Sequence, residues 1–183
     1  DHAIVKNKLA LPDNYKYIDF ESKSLSKFHD MDYSVPVIVR LPSGWSKDDT
    51  KKWPVIFYNT GFGGGYAEFL RIEKSMPYLA PALDKAIMVA PSAESYNGHT
   101  VFADSANNGP WGHMLVNEMA PYIDKMFGGK GAKSRYITGI SSGGWSSLWL
   151  QISYPDAFAG VWSHVPDPVD FRDFQKINLY SKG

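Results

Sequence analysis

Residues 135–144 read Arg135-Tyr136-Ile137-Thr138-Gly139-Ile140-Ser141-Ser142-Gly143-Gly144. The first six form a short apolar run without alternation, as expected of a strand covered on both faces. A helical segment follows, over about residues 143–154. The turn between them carries G-x-S-x-G. That pattern is weak by itself and gains weight from a strand before it and a helix after it. A turn this tight leaves no room for side chains two residues either side of the serine, and Gly139 and Gly143 occupy those places. It should hold Ser141 in a sparsely populated backbone conformation and lift its hydroxyl above the sheet. Ser142 also precedes a glycine, but only Ser141 has glycine at both flanking places. The alternative is an ordinary helix entry with either serine as N-cap.

The surrounding chain has the same texture. Pro54–Tyr58, Ala86–Ala90 and Phe158–Val165 are further apolar runs, and helical segments are expected at about 66–80 and 112–127. Short buried strands alternating with helices predict an α/β fold: a mostly parallel sheet with helices on both faces. Ahead of them, Tyr15 to Leu25 reads as a solvated strand and Tyr33–Leu41 as another, with Pro36 better suited to an edge or bulge than to the sheet centre. Residues 1–14 read as an N-terminal arm over a single domain spanning 1–183. Ligands of such sheets gather at the carboxyl ends of the strands. That directs attention to residues 59–65, 91–111, 141–144 and 166–173.

Composition removes several function classes. Lys+Arg and Asp+Glu are balanced at 19 each, and there is no basic run to grip a phosphate backbone, so nucleic acid is not an expected partner. No stretch approaches the roughly 18–20 uncharged apolar residues of a membrane span. The chain opens on Asp1-His2, as it would after removal of a leader, which favours a periplasmic or secreted location over a cytoplasmic one. Cysteine is absent, which excludes thiol catalysis and thiolate metal ligation by this chain. Its six Trp exceed what a core this size needs; they read either as lining a cleft for an aromatic or sugar-like substrate or as packing and surface cover.

Acyl transfer places negative charge on a carbonyl oxygen, and two N–H donors aimed at it supply roughly 3 kcal/mol each. One donor is expected from Ser142 at the start of the new helix. The other is expected from Thr60-Gly61-Phe62-Gly63-Gly64-Gly65, with Phe62 the candidate and Gly63 next. This loop lacks the lysine and spacing of a P-loop; a purely structural turn is the alternative. The long polar segment 92–111 reads either as a pocket wall with Trp111 near its floor or as an excursion packed by its own aromatics. Five histidines are present: His2, His29, His99, His113 and His164. His164, at the end of a strand beside the serine's own strand, is the best-placed internal base, against a packed or supporting role. Asp167, Asp170 and Asp173 follow it. Asp167 is a candidate acid; helix capping or an ion pair with Arg172 is the alternative.

Thr60-Gly-Phe-Gly-Gly, Asn108-Gly-Pro-Trp-Gly, Gly139-Ile-Ser-Ser-Gly-Gly-Trp and Ser163-His-Val-Pro-Asp-Pro-Val-Asp-Phe-Arg-Asp-Phe together resemble the putative-esterase family of α/β hydrolases. That family includes enterochelin-esterase-like, feruloyl-esterase-like and S-formylglutathione-hydrolase-like enzymes. The resemblance spans about residues 33–180 and implies a Ser–acid–His triad, a small-molecule ester substrate, no metal and no organic cofactor. In the family's chain order the acid and histidine follow the serine, after two further strands. Too few residues follow Val165 for such a unit. The sheet is therefore read as truncated after strand six, with acid and histidine expected beyond residue 183, on a C-terminal segment or a second chain. The expected function is a serine esterase working through an acyl-enzyme on Ser141. An acyltransferase, a peptidase of the same fold or a noncatalytic binding module are the alternatives.

Overall fold

The computed structural model describes residues 11–181 other than 49, 76–79, 169 and 174–175. The expected arm over residues 1–14 falls mostly outside that set, and His2 wholly so. Six strands form one sheet: β1 (Tyr15–Glu21), β2 (Ser34–Arg40), β3 (Val55–Asn59), β4 (Ile87–Pro91), β5 (Arg135–Ile140) and β6 (Gly160–His164), in the order β1-β2-β4-β3-β5-β6. β1 and β2 run antiparallel to their neighbours, and β4, β3, β5 and β6 run parallel. The chain is thus an α/β-hydrolase-type sheet with β5 between β3 and β6. Asn59 pairs with Gly139 and His164 with Ile140. That register ends three parallel strands at one level, and the loops leaving them converge.

Helices cover the sheet on both faces. They are α1 (Lys23–His29), α2 (Tyr66–Ser75), α3 (Ala80–Leu83), α4 (residues 111–127, π-helical over Met114–Met119) and α5 (Ser142–Ser153). The two-residue pleat sends alternate side chains to opposite sides. On one side Val37, Phe57, Val89 and Ile137 pack beneath α1, α4 and α5. On the other, Ile38, Met88 and Ala90 meet Phe69 of α2.

This second layer lies over β2 and β4 and leaves β5 and β6 open on that face. Tyr136 and Ile140 are 42 % and 43 % exposed, and Trp162 is 71 % exposed. The apolar run at 135–140 is therefore a strand covered on one face, not on both. β6 is an edge of the sheet among the described residues.

Three further expectations change. The strand expected over Tyr15–Leu25 stops at Glu21, because Ser22 caps α1 by accepting the Leu25 N–H at 3.1 Å. Glu118 of α4 reinforces this cap, accepting from Ser22 Oγ (2.8 Å), Lys23 N (3.0 Å) and Ser24 N (2.9 Å). A carboxylate there also faces the positive end of the helix. Pro36 lies in an interior strand, not at an edge. Its carbonyl accepts the Ser92 N–H at 2.8 Å, beyond the last rung of the β2–β4 ladder at Val37–Pro91. The missing proline N–H thus costs the ladder one terminal bond. The helix expected over 66–80 is two helices, α2 and α3, with 76–79 outside the described residues.

A partly buried ion pair anchors the start of β5. Arg135 Nη1 donates to Ala157 O at 3.0 Å, and Nη2 donates to Asp124 of α4. Asp124→Ala should lower stability by about 2 kcal/mol, since it leaves a buried guanidinium without its counter-charge. The check is chemical denaturation; an unchanged midpoint would mean that the pair contributes no net stability.

Candidate active site

β5 ends at Ile140 and α5 begins at Ser142, so Ser141 alone makes the turn. It does so at φ 57°, ψ −126°, a region that costs a non-glycine residue about 1–3 kcal/mol. Two backbone bonds hold it there: its N–H donates to His164 O at 3.1 Å, and its carbonyl accepts from Trp145 N at 3.0 Å. A Cβ at residue 143 would lie 2.0 Å from Asn59 O, and one at residue 139 would lie 2.4 Å from Gly143 O. Gly144 is equally constrained, with 2.5 Å from a Cβ to His164 O. The helix entry is therefore wedged between the ends of β3 and β6. Ser141 is exposed and Ser142 is buried. The first N–H groups of α5 have no carbonyl within the helix to bond, and Ser141 is the N-cap residue of that helix.

The loop after β3 borders the same turn. A Cβ on Gly61 would lie 3.3 Å from Ile140 O and 3.7 Å from Ser141 Cβ. Phe62 and Gly63 (φ 71°) follow immediately, and the Phe62 ring projects outward, 81 % exposed. Asn59 Nδ2 donates to Ser147 Oγ at 3.3 Å and ties β3 to α5. Asn59 Oδ1 and Thr60 Oγ1 are buried there without partners.

Asp167 arrives from the third side. Val165, at φ 35°, turns the chain after β6, an outlier conformation for a β-branched residue. Asp167 Oδ1 accepts a long hydrogen bond from Ser141 Oγ (3.3 Å), and Oδ2 accepts a short one from Ser142 Oγ (2.5 Å). The ion pair with Arg172 that the sequence offered as an alternative belongs instead to Asp170, at 2.6 Å. Of Asp173 only the backbone is described.

The other candidates are scattered. His164 meets Ser141 through its carbonyl, while its ring lies stacked on Trp162, centroids 5.6 Å apart. His99 faces Phe62 at 6.1 Å between centroids. Its Nδ1 accepts the Val101 N–H at 3.2 Å, and its Nε2 is buried with no hydrogen-bond partner. Burial holds this imidazole below its ordinary pKa. The charges of Glu94 and Asp167 and the nearby Thr60 backbone offset that only in part. His113 is exposed beside Asn117, and His29 stacks on Tyr33 near the far sheet edge. Among the described residues, Ser141 Oγ bonds to Asp167 and to no histidine ring.

Trp111 is a core residue, not a pocket floor. It is 0 % exposed, bonds Asn108 O through Nε1 at 2.8 Å and packs against Tyr33 and Phe102. The segment 92–111 divides into two short ribbons, Glu94–Ser95 with Gly98–His99 and Asp104–Ser105 with Gly109–Pro110. Asp104 accepts the N–H groups of Gly112 and His113 and the Tyr154 hydroxyl, which lashes the second ribbon to α4 and the end of α5. The first ribbon reaches the residues around Ser141 through His99, which faces Phe62. A cavity of about 530 Å³ beside Glu21, Ser26, Asp32 and Tyr33 lies at the β1–β2 edge and shares no residue with this cluster.

A family described as putative esterase matches residues 29–170, well over half of the chain. No curated protein matches it. Among solved structures, FphF, a fluorophosphonate-binding serine hydrolase of Staphylococcus aureus, aligns at TM-score 0.69 and 17 % identity, over 91 % of this chain and 62 % of its own. The ferulic acid esterase AmCE1/Fae1A of Anaeromyces mucronatus aligns at 0.66 and 20 %, over 88 % and 61 %. An S-formylglutathione hydrolase of Agrobacterium tumefaciens aligns at 0.67 and 15 %, over 86 % and 59 %. At these identities the likeness is one of fold. This chain spans about three-fifths of the length of those structures.

Proposed function

The chain belongs to the putative-esterase family, and from that premise we propose that it hydrolyses carboxylic esters of small molecules through an acyl-enzyme on Ser141. The observation that carries this reading is the Ser141 turn, with an exposed hydroxyl on a strained residue between the carboxyl end of β5 and the start of α5. Strain at a site held by two backbone bonds and three close-packed glycines is the signature of a functional turn. In the proposed reaction Ser141 Oγ attacks the ester carbonyl and its proton passes to a base. The carbonyl oxygen becomes negative and is met by the N–H of Ser142 and that of Phe62, with Gly63 next to it. The alcohol departs, and water then releases the acid and regenerates the serine.

The base is proposed to lie outside the described residues, because none of their histidine rings bonds to Ser141 Oγ. The acid that orients it is assigned to the same place. The names of the matched structures, a ferulic acid esterase and an S-formylglutathione hydrolase, support an acyl group of modest size. No metal or organic cofactor takes part in this scheme.

Covalent labelling tests the assignment. A fluorophosphonate should modify the full-length protein once, and mass spectrometry of its peptides should place the adduct on Ser141. An adduct on Ser142, or none at all, would overturn the reading.

A further inference from the structure

Asp167 is a carboxylate bonded to the hydroxyl proposed to attack the substrate. Its Oδ1 is 3.3 Å from Ser141 Oγ, and its Oδ2 is held by Ser142 Oγ at 2.5 Å. Its position is enforced on both sides. The chain turns at Val165 through φ 35°, and Ser142, buried at the first position of α5, fixes the second carboxylate oxygen. The positive end of the twelve-residue helix α5 favours a negative charge at that place. The nearby cation on the same segment, Arg172, is engaged by Asp170. His99, beside Phe62, lies within reach of the Asp167 charge. Any acyl or alcohol group bound over Ser141 therefore sits in the field of one carboxylate. Glu94 adds charge of the same sign near His99.

We infer that Asp167 determines the charge preference of this site: it favours esters with a cationic group near the scissile bond and disfavours those with an anionic one. The inference rests on the Ser141 reading above. A reacting carbonyl lies about 3 Å from the attacking oxygen, so a charged substituent two or three bonds further on is about 6 Å from Asp167. At that distance, with an effective dielectric constant of about 40, between the values for a protein surface and for bulk water, one unit charge changes binding or rate by about tenfold.

The test compares three p-nitrophenyl esters of matched acyl size, carrying a trimethylammonium group, no charge or a carboxylate at the acyl terminus. kcat/KM is measured for the full-length protein and for Asp167→Asn, which keeps the shape and removes the charge. Taking the variant-to-parent ratio for each ester cancels their different intrinsic reactivities. The ratio for the anionic ester should exceed that for the neutral one by about tenfold, and the ratio for the cationic ester should fall below it by about as much. Equal ratios for all three would overturn the inference and leave Asp167 a structural tie, because loss of a tie slows every substrate alike. A second measurement needs no variant. Raising NaCl from about 0.05 to about 0.5 M should narrow the parent protein's cationic-to-anionic kcat/KM ratio by screening; a ratio indifferent to salt would count against a charge effect. If the parent cleaves none of the three esters, or Ser141→Ala cleaves them equally well, the Ser141 reading falls and the inference falls with it.

Discussion

Ser141→Ala should lower kcat on short p-nitrophenyl esters by about three orders of magnitude or more, because loss of the nucleophile removes the covalent route entirely. Ser142→Ala should cost much less, about tenfold. Alanine retains the backbone N–H proposed to meet the oxyanion, and what disappears is the 2.5 Å hydrogen bond from Ser142 Oγ to Asp167. The contrast is informative because the two serines are adjacent and share one carboxylate. Steady-state kinetics on both variants, with circular dichroism to verify folding, reads it directly. Equal losses would mean that the reaction does not pass through a Ser141 acyl-enzyme.

Gly143→Ala should have the largest effect on stability. The added Cβ would lie 2.0 Å from Asn59 O and 2.8 Å from Thr60 O, both backbone atoms at the buried end of β3. Neither atom can rotate away as a side-chain tip would, so strand and helix have to separate. That should cost about 4 kcal/mol or more, beyond the usual range for overpacking. In a domain of this size it corresponds to a melting temperature lower by about 12 °C. Gly65→Ala is the control, since a Cβ there meets nothing within 4 Å, and its stability should stay within about 0.5 kcal/mol of the parent. A melting temperature for Gly143→Ala equal to that of the control would show that α5 can shift away from β3 at little cost.

Both predictions start from a motif legible in the chain itself. Strand, turn and helix around Ser141 follow from an apolar run, two glycines and the helical pattern after them. All of these are relations between residues within about twenty positions of one another. The alternation of buried strands and helices was legible for the same reason. Local reading failed where a distant residue decides. Ser22 ends β1 and starts α1, but Glu118, far along the chain, braces that cap through three hydrogen bonds. Pro36 looked like an edge residue because nothing near it in the chain says that β4 stops pairing one residue away. For Trp111 the polar loop before it leaves a pocket floor and a packed aromatic as equal readings. Packing against Tyr33 and Phe102 puts it in the core.

The arrangement around Ser141 divides along the same line. The amino-acid sequence by itself determined which serine takes the strained turn, since only glycine at 139 and 143 lets β3 and α5 come so close, and those residues are read directly from the chain. It also determined that the glycine loop and the polar segment 166–173 leave strand ends on the serine's side of the sheet. Only the tertiary structure decided what faces the serine. The registers Asn59–Gly139 and His164–Ile140 bring Gly61 against it from one side. The turn at Val165 brings Asp167 from the other, while the His164 ring goes to Trp162. Side-chain direction at the end of a strand depends on register and on the next turn, both set by pairing between segments twenty to eighty residues apart. Local periodicity carries no information about such pairings.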